Sequence, residues 1–217
     1  MFKDRKEAGI KLAGILSKTV HAPCIIYALP RGGVPVGYEM AMKMKCPLEI
    51  ISVKKIGAPG DEELALGAVT EGDPKELFLN EYLITQIHID KTRLDEIISR
   101  KYHEASELGN LYRHGREMIL NPDAVAIVVD DGIATGATVI SAVNFLKSRG
   151  QKRIIIAIPV VEAETARRLK SMVDNLISVE LPSEMYSVGE FYRNFSQVTD
   201  QEVMVAMDNL RYFLSQN

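Results

Sequence analysis

The sequence predicts an α/β protein built on an open, twisted parallel sheet with helices on both faces. Three observations carry this. Short apolar runs with little alternation, such as CIIYAL at 24–29 and RIIIAIP at 153–159, recur along the chain, as strands covered on both faces read. Stretches of helical period follow them. The connections between the two kinds of segment are a few residues long, which suits βα units stacked into one sheet.

The elements follow in order. Ile10, Leu12, Ala13, Leu16 and Val20 fall on one helical face, with Asp4 placed to cap the helix start. The first strand is 24–29. It runs into Pro30-Arg31-Gly32-Gly33, a turn signal, and then a helix over 34–44 with Pro35 in its first turn. LEIISV at 48–53 reads as the second buried strand, ending in Lys54 and Lys55.

The middle of the chain departs from this rhythm. Residues 57–73 are rich in Gly, Pro and acids and read as a mobile loop or hairpin. Residues 90–118 are charged and helical in period, with Leu94, Ile97, Ile98, Tyr102, Leu108, Leu111 and Tyr112 forming a stripe. The stretch 73–121 therefore reads as an inserted helical arm on one domain spanning 1–217, serving as a lid, a dimer surface or a packed element. The βα pattern resumes with a strand at 124–129, a helix at 136–149, a strand at 153–159, a helix at 163–172 and a strand at 176–181. The tail carries Phe191, Tyr192 and Phe195, read as core for a terminal helix starting near Thr199 or Asp200.

Composition sets limits on function. At 217 residues the chain holds one well-buried core. A net charge of -3 excludes a broadly basic protein that coats nucleic acid, but not a small cationic pocket. Cys24 and Cys46 lack metal-ligand spacing and read as buried thiols. His21, His88, His103 and His114 read as solvated, although Arg113 and Arg116 beside His114 could gather an anion. No signal peptide or membrane span is evident, and the expected location is the cytoplasm.

The chemistry concentrates in VVDDGIATGAT at 128–138. A strand ends in Asp130 and Asp131, followed by small residues and hydroxyls (Gly132, Ile133, Ala134, Thr135) and a helix start (Gly136, Ala137, Thr138). Glycines let backbone N–H groups converge on an anion, and the helix N-terminus favours a phosphate there. The acids fit a sugar diol, or a divalent cation bridging acid and phosphate, held directly or through water. A ribose carrying a 5-phosphate and a metal-bound pyrophosphate satisfies every part. No GxxxxGK[ST] occurs, so a Walker-type nucleotide site is excluded.

This run resembles the 5-phosphoribosyl 1-pyrophosphate (PRPP) signature of the type I phosphoribosyltransferases. LPRGG near residue 30, VKKIGAPGDEELALGAV near residue 60 and FYRNFSQV near residue 195 extend the likeness at lower specificity. The resemblance implies a type I phosphoribosyltransferase-like sheet with a hood formed by the tail or the arm. It implies Mg²⁺ as cofactor, Asp130 and Asp131 on the ribose hydroxyls and metal, and Thr135 to Thr138 around the 5-phosphate. Arg31, Gly32 and Gly33 would hold the pyrophosphate, with Lys54 and Lys55 beside it. The implied reaction transfers the phosphoribosyl group to a nitrogen nucleophile, a nucleobase or related amine, and releases pyrophosphate. The competing expectation is a PRPP-binding regulator without transfer. The expected partners are PRPP and a small acceptor, with neither nucleic acid nor membrane; the arm is compatible with a homodimer.

Overall fold

A computed structural model describes residues 1–72 and 75–216, the side chain of Glu63 excepted. Asp73, the expected first residue of the insertion, lies outside them. No helix among the described residues is long and apolar enough to cross a membrane.

A five-stranded parallel sheet runs in the order β2-β1-β6-β7-β8. Its strands are β1 (Cys24–Ala28), β2 (Leu48–Ile50), β6 (Val125–Val129), β7 (Ile154–Val160) and β8 (Asn175–Glu180). Alternate residues of each strand feed the two faces. Ile26 and Ala28 of β1 and Ile127 and Val129 of β6 pack with α1 (Arg5–Leu16), α2 (Gly33–Met44) and α7 (Asp200–Ser215). Ile25, Tyr27, Ala126 and Val128 pack on the other face with α5 (Ala137–Ser148) and α6 (Ala163–Lys170). The expected layers are therefore present, and both cysteines are buried free thiols.

The second strand differs from the sequence reading. The run 48–53 is not one strand: β2 stops at Ile50, and β3 (Val53–Ala58) belongs to a second, antiparallel sheet with β4 (Asp61–Thr70) and β5 (Leu77–Leu79). The apolar run contains no turn signal. The break comes from a buried side chain, because the Ser52 amide donates to the Glu71 carboxylate at 2.8 Å. Residues 57–70 are accordingly the hairpin of the two options, with Gly60 at its tip in a left-handed conformation (φ 85°).

The arm contains β5, α3 (Glu81–Ile87) and α4 (Lys91–Arg113), the last capped by the Asp90 side chain on the Arg93 amide. Leu94, Ile97 and Ile98 pack against Ile56, Leu66 and Val69 of the second sheet. Tyr112 joins the main core. Of the readings open to this segment, α4 thus has a packed face within its own chain.

Candidate functional site

β1 and β6 are neighbours whose following helices leave in opposite directions: β1 leads through α2 to β2, and β6 through α5 to β7. A crevice opens at such a reversal, outside the carboxyl ends of the strands. Pro30-Arg31-Gly32-Gly33 follows β1 and Asp130-Asp131-Gly132 follows β6, so the two motifs meet there. The contact is close. A β-carbon on Gly32 would overlap the Asp131 carboxylate, and one on Gly33 would press on the Val129 carbonyl and the Asp130 backbone. Glycine at 33 is thus required by packing against β6, and its amide is spent on the Leu29 carbonyl at 3.0 Å. That N–H is not free for a ligand, contrary to the expectation from sequence.

Asp130 accepts the Asp131 amide at 2.8 Å. Burial and the neighbouring Asp131 charge push its carboxyl well above the usual carboxylate range, opposed by that amide, Arg5 and Lys55. Burial also raises Asp131, against the pull of Arg5. Arg5, in the first turn of α1, donates Nε–H to Asp131 Oδ2 at 2.7 Å and Nη1–H to the Ser196 carbonyl at 2.8 Å. Its guanidinium carbon lies 3.9 Å from the Phe195 ring centroid, and Tyr192 donates its hydroxyl to the Asp131 carbonyl at 2.6 Å.

A strip of chain brings these groups together. Phe2, fully buried, bridges to Tyr192, and the Arg193 and Asn194 amides donate to the Phe2 and Lys3 carbonyls. The hood over the crevice is therefore the C-terminal segment together with the N-terminal strip, while the arm contributes Leu108 to the cavity wall. Phe191, Tyr192 and Phe195 are packed side chains as expected, but they form a small core with Phe2, Ala8 and Val160 and not with the terminal helix.

The Ala134 carbonyl accepts from Thr165 at 2.9 Å and the Thr135 carbonyl accepts from Arg168, so α6 draws the carbonyls outward. Gly136, at φ 80°, starts α5 without a side-chain cap, leaving the first-turn amides without intrahelical acceptors. Ile133 turns inward: its side chain is buried and its amide bonds the Val160 carbonyl at 2.9 Å. It anchors the loop instead of facing a ligand. Gly132 leaves room for Val188.

Lys54 and Lys55 lie in β3, in the second sheet, and not at the end of β2. Strand alternation sends them to opposite sides; Lys54 lines the cavity and Lys55 is exposed. Arg31 is held by the Val198 carbonyl at 3.2 Å and by Asp200 at 3.3 Å, and Asp200 also accepts the Tyr112 hydroxyl. Arg5, Arg31, Gly32, Lys54, Asp131 and Phe195 border a cavity of about 370 Å³. Arg5 in the cavity wall, Arg168 on Thr135, Asp200 on Arg31 and Tyr112 on Asp200 are not marked as site residues by the sequence, because each comes from a remote segment that has no motif of its own.

The arginines that could have gathered an anion beside His114 are instead paired with acids. Arg113 is buried against Glu71 and Glu49, while His114 and Arg116 face Asp208. Among the described residues no three His, Cys, Asp or Glu side chains gather as a metal cluster. The Asp130–Asp131 pair offers hard oxygens alone, a donor set that suits a Mg²⁺ ion bringing most of its ligands as water and substrate phosphate.

The chain belongs to the phosphoribosyl transferase domain family, whose model matches residues 1–191. It is 33% identical over 208 residues to "Putative phosphoribosyl transferase Rv0571c" of Mycobacterium tuberculosis strain H37Rv, an alignment covering 96% of this chain and 46% of that protein. The chain thus spans about half the length of the curated relatives it matches. The solved structure of TT1426 from Thermus thermophilus is similar over 96% of this chain and 98% of that one, with 33% identity and a TM-score of 0.79.

Proposed function

We propose that this chain is a phosphoribosyltransferase that binds PRPP with Mg²⁺ and transfers the phosphoribosyl group to a nitrogen nucleophile. The observation carrying this is the meeting, at one reversal of strand order, of a buried acid pair, an uncapped helix N-terminus and a cationic turn. Family membership and the lysine reaching in from the second sheet support it.

In this reading the first-turn amides of α5, with Thr135 and Thr138, receive the 5-phosphate. Asp130 and Asp131 hold the ribose hydroxyls and would carry the Mg²⁺, which when bound neutralises pyrophosphate charge. The acceptor nitrogen forms a bond to ribose C1 as the C1–O bond breaks, and the electron pair leaves on the pyrophosphate oxygen. Arg31, Lys54 and Lys55 stabilise the charge that develops there, and the acid pair favours the positive charge growing on the ring. The hood excludes water from C1. No side chain acts as a covalent nucleophile. The cavity is bordered by both sheets and by α4, which supports treating 1–217 as one working domain with 73–121 as its arm. The chain is a soluble cytoplasmic protein in this reading.

The test mixes the protein with PRPP, Mg²⁺ and a panel of nucleobases and amines and measures pyrophosphate release. Release with at least one acceptor, lost in the Asp130→Asn, Asp131→Asn double variant while its circular dichroism is retained, supports the proposal. An active, folded double variant would remove the role given to the acid pair.

A further inference from the structure

We infer that Arg5 selects the acceptor: its guanidinium, and not an aromatic ring, is the surface the nucleophile meets, and it favours nitrogen compounds that carry a carbonyl or carboxylate oxygen. This rests on the phosphoribosyl-transfer reading and deepens it.

Among the described residues, Phe195 is the one aromatic side chain bordering the cavity. Its ring is already engaged. Tyr192 stacks on it at 5.0 Å with an interplanar angle of 28°, and the Arg5 guanidinium covers it at 3.9 Å. An acceptor entering the cavity therefore finds the ring already engaged, with the Arg5 guanidinium beside it. The guanidinium is itself planar and can stack on a heterocycle.

Arg5 is also fixed in place. Asp131 takes its Nε–H, the Ser196 carbonyl takes an Nη1–H, and only 11% of the side chain is exposed. With Nε and Nη1 committed, Nη2 is the guanidinium nitrogen with no hydrogen bond among the described residues, and in this reading its N–H groups go to the ligand. Gln197 adds an amide to the same wall, and the only carboxylate there among the described residues, Asp131, already serves Arg5. With Arg31 and Lys54 given to pyrophosphate, the acceptor end is rich in donors. A carbonyl or carboxylate oxygen pairs with them, whereas an amino group sets N–H against N–H. Desolvating donors without partners is what makes such sites discriminate.

Matched pairs of heterocycles differing in oxo against amino groups, hypoxanthine with adenine and uracil with cytosine, are titrated calorimetrically into protein saturated with Mg²⁺ and pyrophosphate. They are then compared as acceptors with PRPP. The wild-type protein is expected to favour the oxo member of at least one pair by roughly 10-fold or more, in binding and in kcat/KM. Arg5→Lys keeps a cation for Asp131 and loses the planar fork. It should cut that preference to about 3-fold or less, chiefly through acceptor KM. Phe195→Leu, which leaves the ion pair and removes the ring that holds the guanidinium flat, should weaken the preference partially and decides the matter if Arg5→Lys does not fold. The inference is overturned if the wild-type protein favours amino members or neither. It is equally overturned if Arg5→Lys, or Phe195→Leu in its place, keeps the preference, or if the loss falls on PRPP affinity alone. Absence of pyrophosphate release from wild type with every acceptor sinks the transferase reading, while the calorimetric preference still judges Arg5.

Discussion

The Asp131 carboxylate rests directly over the α-carbon of Gly32, where any β-carbon would overlap Oδ2. The turn after β1 and the acid pair after β6 are therefore a single fitted surface, although 99 residues separate these two positions in sequence. Gly32→Ala must displace the carboxylate or the turn. Overpacking of this kind costs about 1–3 kcal/mol. Transfer activity should fall by roughly 10- to 100-fold, with a smaller loss of stability because Asp131 can swing aside. Steady-state kinetics beside a urea melt checks this; an unaltered kcat/KM would show that the contact does not matter to the reaction.

Asp130 gives a pH dependence with a defined sign. Its carboxyl in the folded protein lies above the ordinary value, through burial first and the Asp131 charge second. Stability from this group is present below the unfolded pKa, about 4, and is lost as pH rises through the folded one. Asp130→Asn should therefore raise the Tm of the free protein by several degrees at neutral pH, with the gain fading toward acid pH. Binding of PRPP with Mg²⁺ requires the charged form, so it should release protons and weaken as pH falls through the raised pKa. Calorimetry in buffers of different ionisation enthalpy reads that release.

Arg31 is aimed by its neighbours. Asp200 at the start of α7 pairs with it, and Tyr112 at the end of α4 donates to the same carboxylate. The pair is partly exposed and adds little to stability. Asp200→Asn should leave Tm within a few degrees and weaken pyrophosphate binding several-fold. Tyr112→Phe, which removes one hydrogen bond worth about 1 kcal/mol, should do the same more mildly. Equal affinities in all three proteins would detach Asp200 from the site.

Away from the crevice, Arg113 lies buried between Glu71 and Glu49 and also donates to the Ile50 carbonyl at 3.2 Å. It ties the arm to the point where the chain leaves the parallel sheet. Removing it strands two buried acids, which costs about 3–5 kcal/mol. Burial already raises both carboxyls, against the pull of Arg113. Without Arg113 they rise further, so the stability of Arg113→Met should be greatest in acid and decline as pH increases. Denaturant melts near pH 5 and pH 8 should give the smaller wild-type advantage at the lower pH.

How much of this can be read from the chain depends on distance along it. The acid pair, its glycine and the TGAT turn are consecutive, and each acts through backbone geometry that its residue types announce. Asp4, Asp90 and Thr199 as helix caps are local signals of the same sort. The end of β2 is not legible, because a carboxylate from residue 71 ends it. For that reason the sequence marks Lys54 as a site residue but puts it on the wrong sheet. Arg5 carries no signal at all: its partners Asp131, Phe195 and Ser196 come from two distant segments.

That N-terminal contribution has a practical corollary for anyone wishing to borrow the chemistry. The residues bordering the cavity run from Arg5 to Val198, so no contiguous excerpt much shorter than this span contains them. Grafting the signature at 128–138 onto another α/β scaffold would transplant a ligand-shaped turn without the arginine that steadies its second acid or the lysine that faces it from the hairpin.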